Sequence, residues 1–159
     1  MEKLVHWSAA LCMTLPLAAL AGTLSDETNK FNGVRTVIWN SIPSESGSFA
    51  LTAAVGMPED QSRRFYSVNL ITYGDSWEFD KCNHTYWMID GQRASDLRTR
   101  YERDSSGSAA IERLYLEDAD KVIPRLAAAK KVEFQVCGED HEVSDSDLDG
   151  LRKLMQALN

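Results

Sequence analysis

The sequence predicts an α+β fold, a mostly antiparallel β-sheet with about two helices packed on one face, one of them a C-terminal amphipathic helix. Three observations carry this. Runs of β-branched and aromatic residues recur along the chain, and several alternate apolar with polar positions. The connections between them are short and rich in Gly, Ser, Asp and Asn, as hairpins require. Helical periodicity is confined to two stretches in the last third of the chain.

The elements follow in order. "GTLSDETNKFNG" (22–33) is polar and reads as a loose arm. "VRTVIWNSI" (34–42) and "FALTAAVG" (49–56) read as strands, and "RRFYSVNLITYG" (63–74) is the strongest strand pattern. In "WEFDKC" (77–82) Trp77 and Phe79 alternate with Glu78 and Asp80, which predicts a half-buried strand. "NHTYWMI" continues in strand style, and Asp90-Gly91 after it is a hairpin signal. "DLRTRYERDSSGS" is charged and gives no clear state, whereas "AAIERLYLE" (109–117) reads as a strand. "ADKVIPRLAAAKK" predicts a helix from about Val122, because Pro124 is tolerated in a first turn. Val122, Ile123, Leu126 and Ala129 then share a face. "VEFQVCG" (132–138) alternates as a strand. Trp39, Trp77 and Trp87 are expected in the core.

The C-terminal "DSDLDG" (145–150) spells the opening of a calcium loop, with Asp145, Asp147 and Asp149 at alternate positions and Gly150 after them. The twelfth position is Gln156 instead of a bidentate glutamate, so the match stops early. A helix start explains more residues. Ser144 is an N-cap with Asp147 three residues on, and Val143 and Leu148 form a hydrophobic staple across it. Leu148, Leu151, Leu154, Met155 and Leu158 make one apolar face. Asp149 is placed to pair with Lys153. Gly150 costs the helix about 1 kcal/mol against alanine.

The N-terminus argues for export. A short apolar run broken by Pro16 ends in Ala19-Leu20-Ala21, the small-residue pattern of a cleavage site. Residues 1–21 are therefore expected to be a cleavable signal peptide and residues 22–159 a single α+β domain. No membrane span is expected after cleavage. The protein should be periplasmic or secreted, and bacterial. The net charge is −7, with no basic stripe, which argues against nucleic acid as a partner.

Cys82 and Cys137 remain after cleavage, and in an exported chain they read first as a disulfide. Two alternatives stand beside it: separated free thiols, or a zinc set of Cys82, His84, Cys137 and His141. His141, between acidic neighbours, reads as a solvated loop residue. "NHT" (83–85) is a glycosylation sequon that matters only in a eukaryotic source. No nucleophile elbow, phosphate loop or zinc-protease motif is present, and no cofactor is implied.

The leading expectation is a small acidic exported domain without enzymatic activity, binding another protein or an envelope component as an inhibitor or immunity-type module. One alternative is a small periplasmic hydrolase using Glu78, Asp80 and His84 for acid–base work. Another is a metal-binding protein built on the Cys/His set.

Overall fold

The computed structural model describes residues 22–45, 47–60 and 63–159. The expected signal peptide, residues 1–21, lies outside the described residues. In chain order the elements are β1 (Gly22–Thr28), β2 (Arg35–Ser41), β3 (Ala50–Met57), β4 (Phe65–Gly74), β5 (Thr85–Ile89), β6 (Gln92–Arg93), β7 (Thr99–Ser106), β8 (Ala109–Leu116), α1 (Ala119–Ala128), β9 (Val132–Val136), β10 (Glu139–Glu142) and α2 (Asp145–Ala157). The fold is α+β. Six strands form one sheet in the order β1-β2-β3-β4-β8-β7, and four form a second in the order β10-β9-β5-β6. Every pairing is antiparallel.

Register decides which side chains meet. Trp39 stands opposite Ala53, Ala53 opposite Val68, and Leu70 opposite Leu114. These buried residues share one face of the larger sheet. Helix α2 lies against β1, β2 and β3, and α1 lies against β4 and α2. Trp87, Val132, Phe134 and Val136 of the smaller sheet join the same core cluster.

The fit of α2 is unusually close. A Cβ added at Gly150 would lie 2.1 Å from Cε2 of Trp39, so only glycine lets the helix rest on that indole. Trp39 Nε1 donates 2.8 Å to Asp147 Oδ1, and the Ser144 hydroxyl donates 2.8 Å to Asp147 Oδ2. The Asp147 backbone N–H in turn donates 3.1 Å to Ser144 Oγ, the N-cap bond. Two arginines satisfy helix C-termini. Arg152 donates to the carbonyls of Ala127 and Ala129 at 3.0 and 2.6 Å, and Arg35 donates 2.8 Å to Ala157 O. Asp149 pairs with Arg152, three residues on, instead of Lys153.

Several expectations need correction. Residues 22–28 are strand β1 and not a loose arm. Their polarity reflects an edge with both faces largely wet, held by its ladder to β2 and by the ion pair of Arg35 with Asp26. That guanidinium holds the Asp26 carboxyl below its usual range. Residues 77–82 are not a strand. Glu112, buried on β8, accepts the backbone N–H groups of Glu78 and Phe79 at 2.9 Å each, so these donors serve a carboxylate in place of a neighbouring strand. Trp77 is consequently 45% exposed, with the Arg103 guanidinium over its ring, while Trp39 and Trp87 are buried. The charged stretch after Leu97 is β7, an exposed edge. Helix α1 begins at Ala119, so Pro124 lies inside it. Pro124 and Asp120 are both exposed, which leaves the freed Asp120 carbonyl to water. Strands β6 and β10 are too short to have shown a periodicity.

Candidate functional site

Two-residue turns build the smaller sheet. Asp90-Gly91 joins β5 to β6 with both residues at positive φ, 50° and 76°, and Cys137-Gly138 joins β9 to β10 at 54° and 95°. Asp90 also accepts the backbone N–H groups of Lys130 and Lys131 at 2.8 and 2.9 Å, which fastens the hairpin to the start of β9.

Strand alternation gives this sheet two unlike faces. Trp87 and Phe134 point into the core with their rings stacked at 5.0 Å. Tyr86 and Met88 point outward and are 52% and 42% exposed. With Arg93, Glu133, Gln135 and Asp140 they line a groove of about 450 Å³. The Arg93 guanidinium lies 5.7 Å from the centre of the Tyr86 ring. Gln135 donates 2.8 Å to Asp140, and Lys131 bridges Glu133 and Glu142 at 2.8 and 3.6 Å. The Lys131 ammonium is held above its ordinary pKa, first by the bond to Glu133. The groove thus has an apolar floor, a cation at one side and carboxylates at the other. That suits an amphipathic side chain or strand.

His141 is not a solvated loop residue. Its register opposite Phe134 turns the ring inward, stacked on Phe134 at 5.2 Å and edge-on to Phe49 at 4.9 Å. Its Nε2 is buried without a hydrogen-bond partner among the described residues. Burial pushes its pKa down, opposed by the charges of Glu139 and Asp140.

Cys82 and Cys137 are disulfide-bonded, their Cα atoms 5.7 Å apart. His84 Nδ1 lies 3.3 Å from Cys82 Sγ. The ligand atoms of Cys82, His84 and Cys137 all fall within 4.8 Å of one another, whereas His141 stands outside that group. The four-residue zinc set is therefore not brought together as a unit.

The proposed acid–base residues have different partners. Asp80 is ion-paired with Arg103, and His84 lies against the disulfide sulfur. The Glu78 backbone is clamped by Glu112. No hydrogen bond or ion pair joins Glu78, Asp80 and His84 to one another among the described residues. Sequence reading missed Glu112 altogether. It also accepts the Tyr101 hydroxyl at 2.7 Å, and burial together with this bond raises the Tyr101 pKa well above its ordinary value. The groove was missed too, although outward Tyr86 and Met88 on either side of inward Trp87 were a signal. A strand over the core should carry polar residues at those places.

No family model matches the chain, and no curated protein or solved structure matches it.

Proposed function

We propose that this chain is an exported, non-enzymatic binding module of inhibitor or immunity type, which holds a protein partner of the cell envelope on the outward face of its smaller sheet. The observation that carries this is the pair Tyr86 and Met88, large and exposed on a central strand, inside a groove with charged rims. A rigid sheet presents such anchors at little entropic cost, and aromatic and methionine side chains are enriched where proteins meet. The Asp140 carboxylate at the rim of the groove, and the net charge of −7, favour a partner with a basic patch. Export is supported by the Cys82–Cys137 disulfide, a bond that persists in oxidising compartments.

The test is in-cell photo-crosslinking. A photoreactive residue at Met88 should give one discrete adduct, lost when Asp140→Lys is added. The same probe at Phe65, exposed on the larger sheet, should give none. Equal adducts from both positions, or none from Met88, would overturn the proposal.

A further inference from the structure

We propose that the reduced chain holds a zinc ion between the Cys82 and Cys137 thiolates and the His84 imidazole, at a site that the disulfide masks. The three ligand atoms already lie within 4.8 Å of one another. They come from fixed places. Cys137 occupies the first position of the β9–β10 turn, and its N–H donates 3.2 Å to the His84 carbonyl. The His84 ring rests edge-on against Tyr86 at 5.6 Å, which holds Nδ1 toward the sulfurs. Zinc–sulfur bonds of about 2.3 Å set two thiolates roughly 3.8 Å apart in a tetrahedral site. Cα atoms 5.7 Å apart allow that by side-chain rotation alone. Both cysteines are half-buried and His84 is exposed, so an ion has access. Three protein ligands leave a fourth position for water, the arrangement of an open zinc site. Cys137 is also a residue at φ 54°, in a turn position that suits Asn, Asp or Gly better.

The chemistry balances with a dithiol as reductant. Its thiolate attacks one sulfur of the disulfide to form a mixed disulfide, and the other sulfur leaves as a thiolate. The second thiol of the reductant then displaces the protein sulfur and is itself oxidised to a disulfide. Zinc binding next displaces the two thiol protons into solvent.

The experiment uses three samples of the chain: oxidised, reduced with a phosphine and desalted without oxygen, and reduced then alkylated. Zinc is titrated in competition with a chromophoric chelator, with cobalt as the optical probe. The reduced chain should bind one zinc at least about 100-fold tighter than the oxidised or alkylated chain, and cobalt should show a sulfur charge-transfer band. His84→Ala in the reduced chain should weaken zinc by at least about tenfold. Circular dichroism of the reduced sample reports whether the fold persists. Equal affinity in the reduced and alkylated samples overturns the proposal, and so does affinity indifferent to His84→Ala. A reduced chain that binds zinc only when unfolded overturns it too.

Discussion

Gly150 and Trp39 show how a single residue is judged by what it touches. Helix propensity alone says that Gly150→Ala should gain about 1 kcal/mol. The new methyl would lie 2.1 Å from the indole, so overpacking is expected to win, with a net loss of about 1–3 kcal/mol in urea unfolding. A gain would show that α2 can lift off the sheet freely. Asp147 is judged the same way. It is 5% exposed, and its carboxylate accepts Trp39 Nε1 and the Ser144 hydroxyl. Asp147→Ala leaves the indole N–H buried without a partner and should cost about 1–3 kcal/mol. Ser144→Ala removes the cap and should cost about 1 kcal/mol. These two share one network, so the double variant should cost less than their sum. Additive costs would mean that the network does not act as a unit. The sequence pattern "DSDLDG" thus contains an inward residue, Asp147, and an outward one, Asp149, which is why reading it as three equivalent acids misleads.

At the scale of elements, the four-stranded sheet carries the predictions that concern pH. Burial puts the folded pKa of His141 on β10 below the unfolded value. Above about pH 6.5 both states are neutral and its contribution is intact. As pH falls from there toward the folded pKa, the unfolded chain binds the proton first, so stability drops. Groups facing it include Phe49 and Phe134, with the carboxylates of Glu139 and Asp140 nearby resisting the shift. His141→Phe should flatten the stability profile below about pH 6.5. An unchanged slope would assign the pH dependence elsewhere. The elements also show what a sequence can reveal. Strands β2, β3, β4 and β8 were legible through their runs of apolar, β-branched and aromatic residues, β4 burying Val68 to Thr72 in succession, whereas β9 was legible because it buries one face and therefore alternates. Strands β1 and β7 were not, since edge strands are held by backbone bonds and carry no apolar stripe. The 77–82 segment alternates but has no strand beside it. Its backbone donors go to Glu112, a residue more than thirty positions away, and no local pattern announces such a contact.

For the molecule as a whole, the disulfide and the groove belong to the same sheet. Cys82 precedes β5 and Cys137 follows β9, so the bond staples together the two strands that carry Tyr86, Met88, Glu133 and Gln135. The sulfurs are separated by 55 residues, for which the chain-entropy model gives about 4 kcal/mol as an upper figure. Cys82→Ser with Cys137→Ser should lower the unfolding free energy by about 2–4 kcal/mol. A loss near zero would mean that the disulfide adds little to the chain's stability. Such a change also leaves the groove's side chains in place, so partner binding should survive in whatever fraction stays folded. The groove itself was hidden from sequence reading because its residues come from four short strands, β5, β6, β9 and β10, two of which are too short to read. The most direct measurement is the affinity of the partner captured at Met88 for the intact chain and for Tyr86→Ala with Met88→Ala. The double variant should bind at least about 100-fold more weakly, with an unfolding midpoint close to that of the parent, because both side chains are exposed anchors. An unchanged affinity in the folded double variant would contradict the assignment of this face as the binding surface.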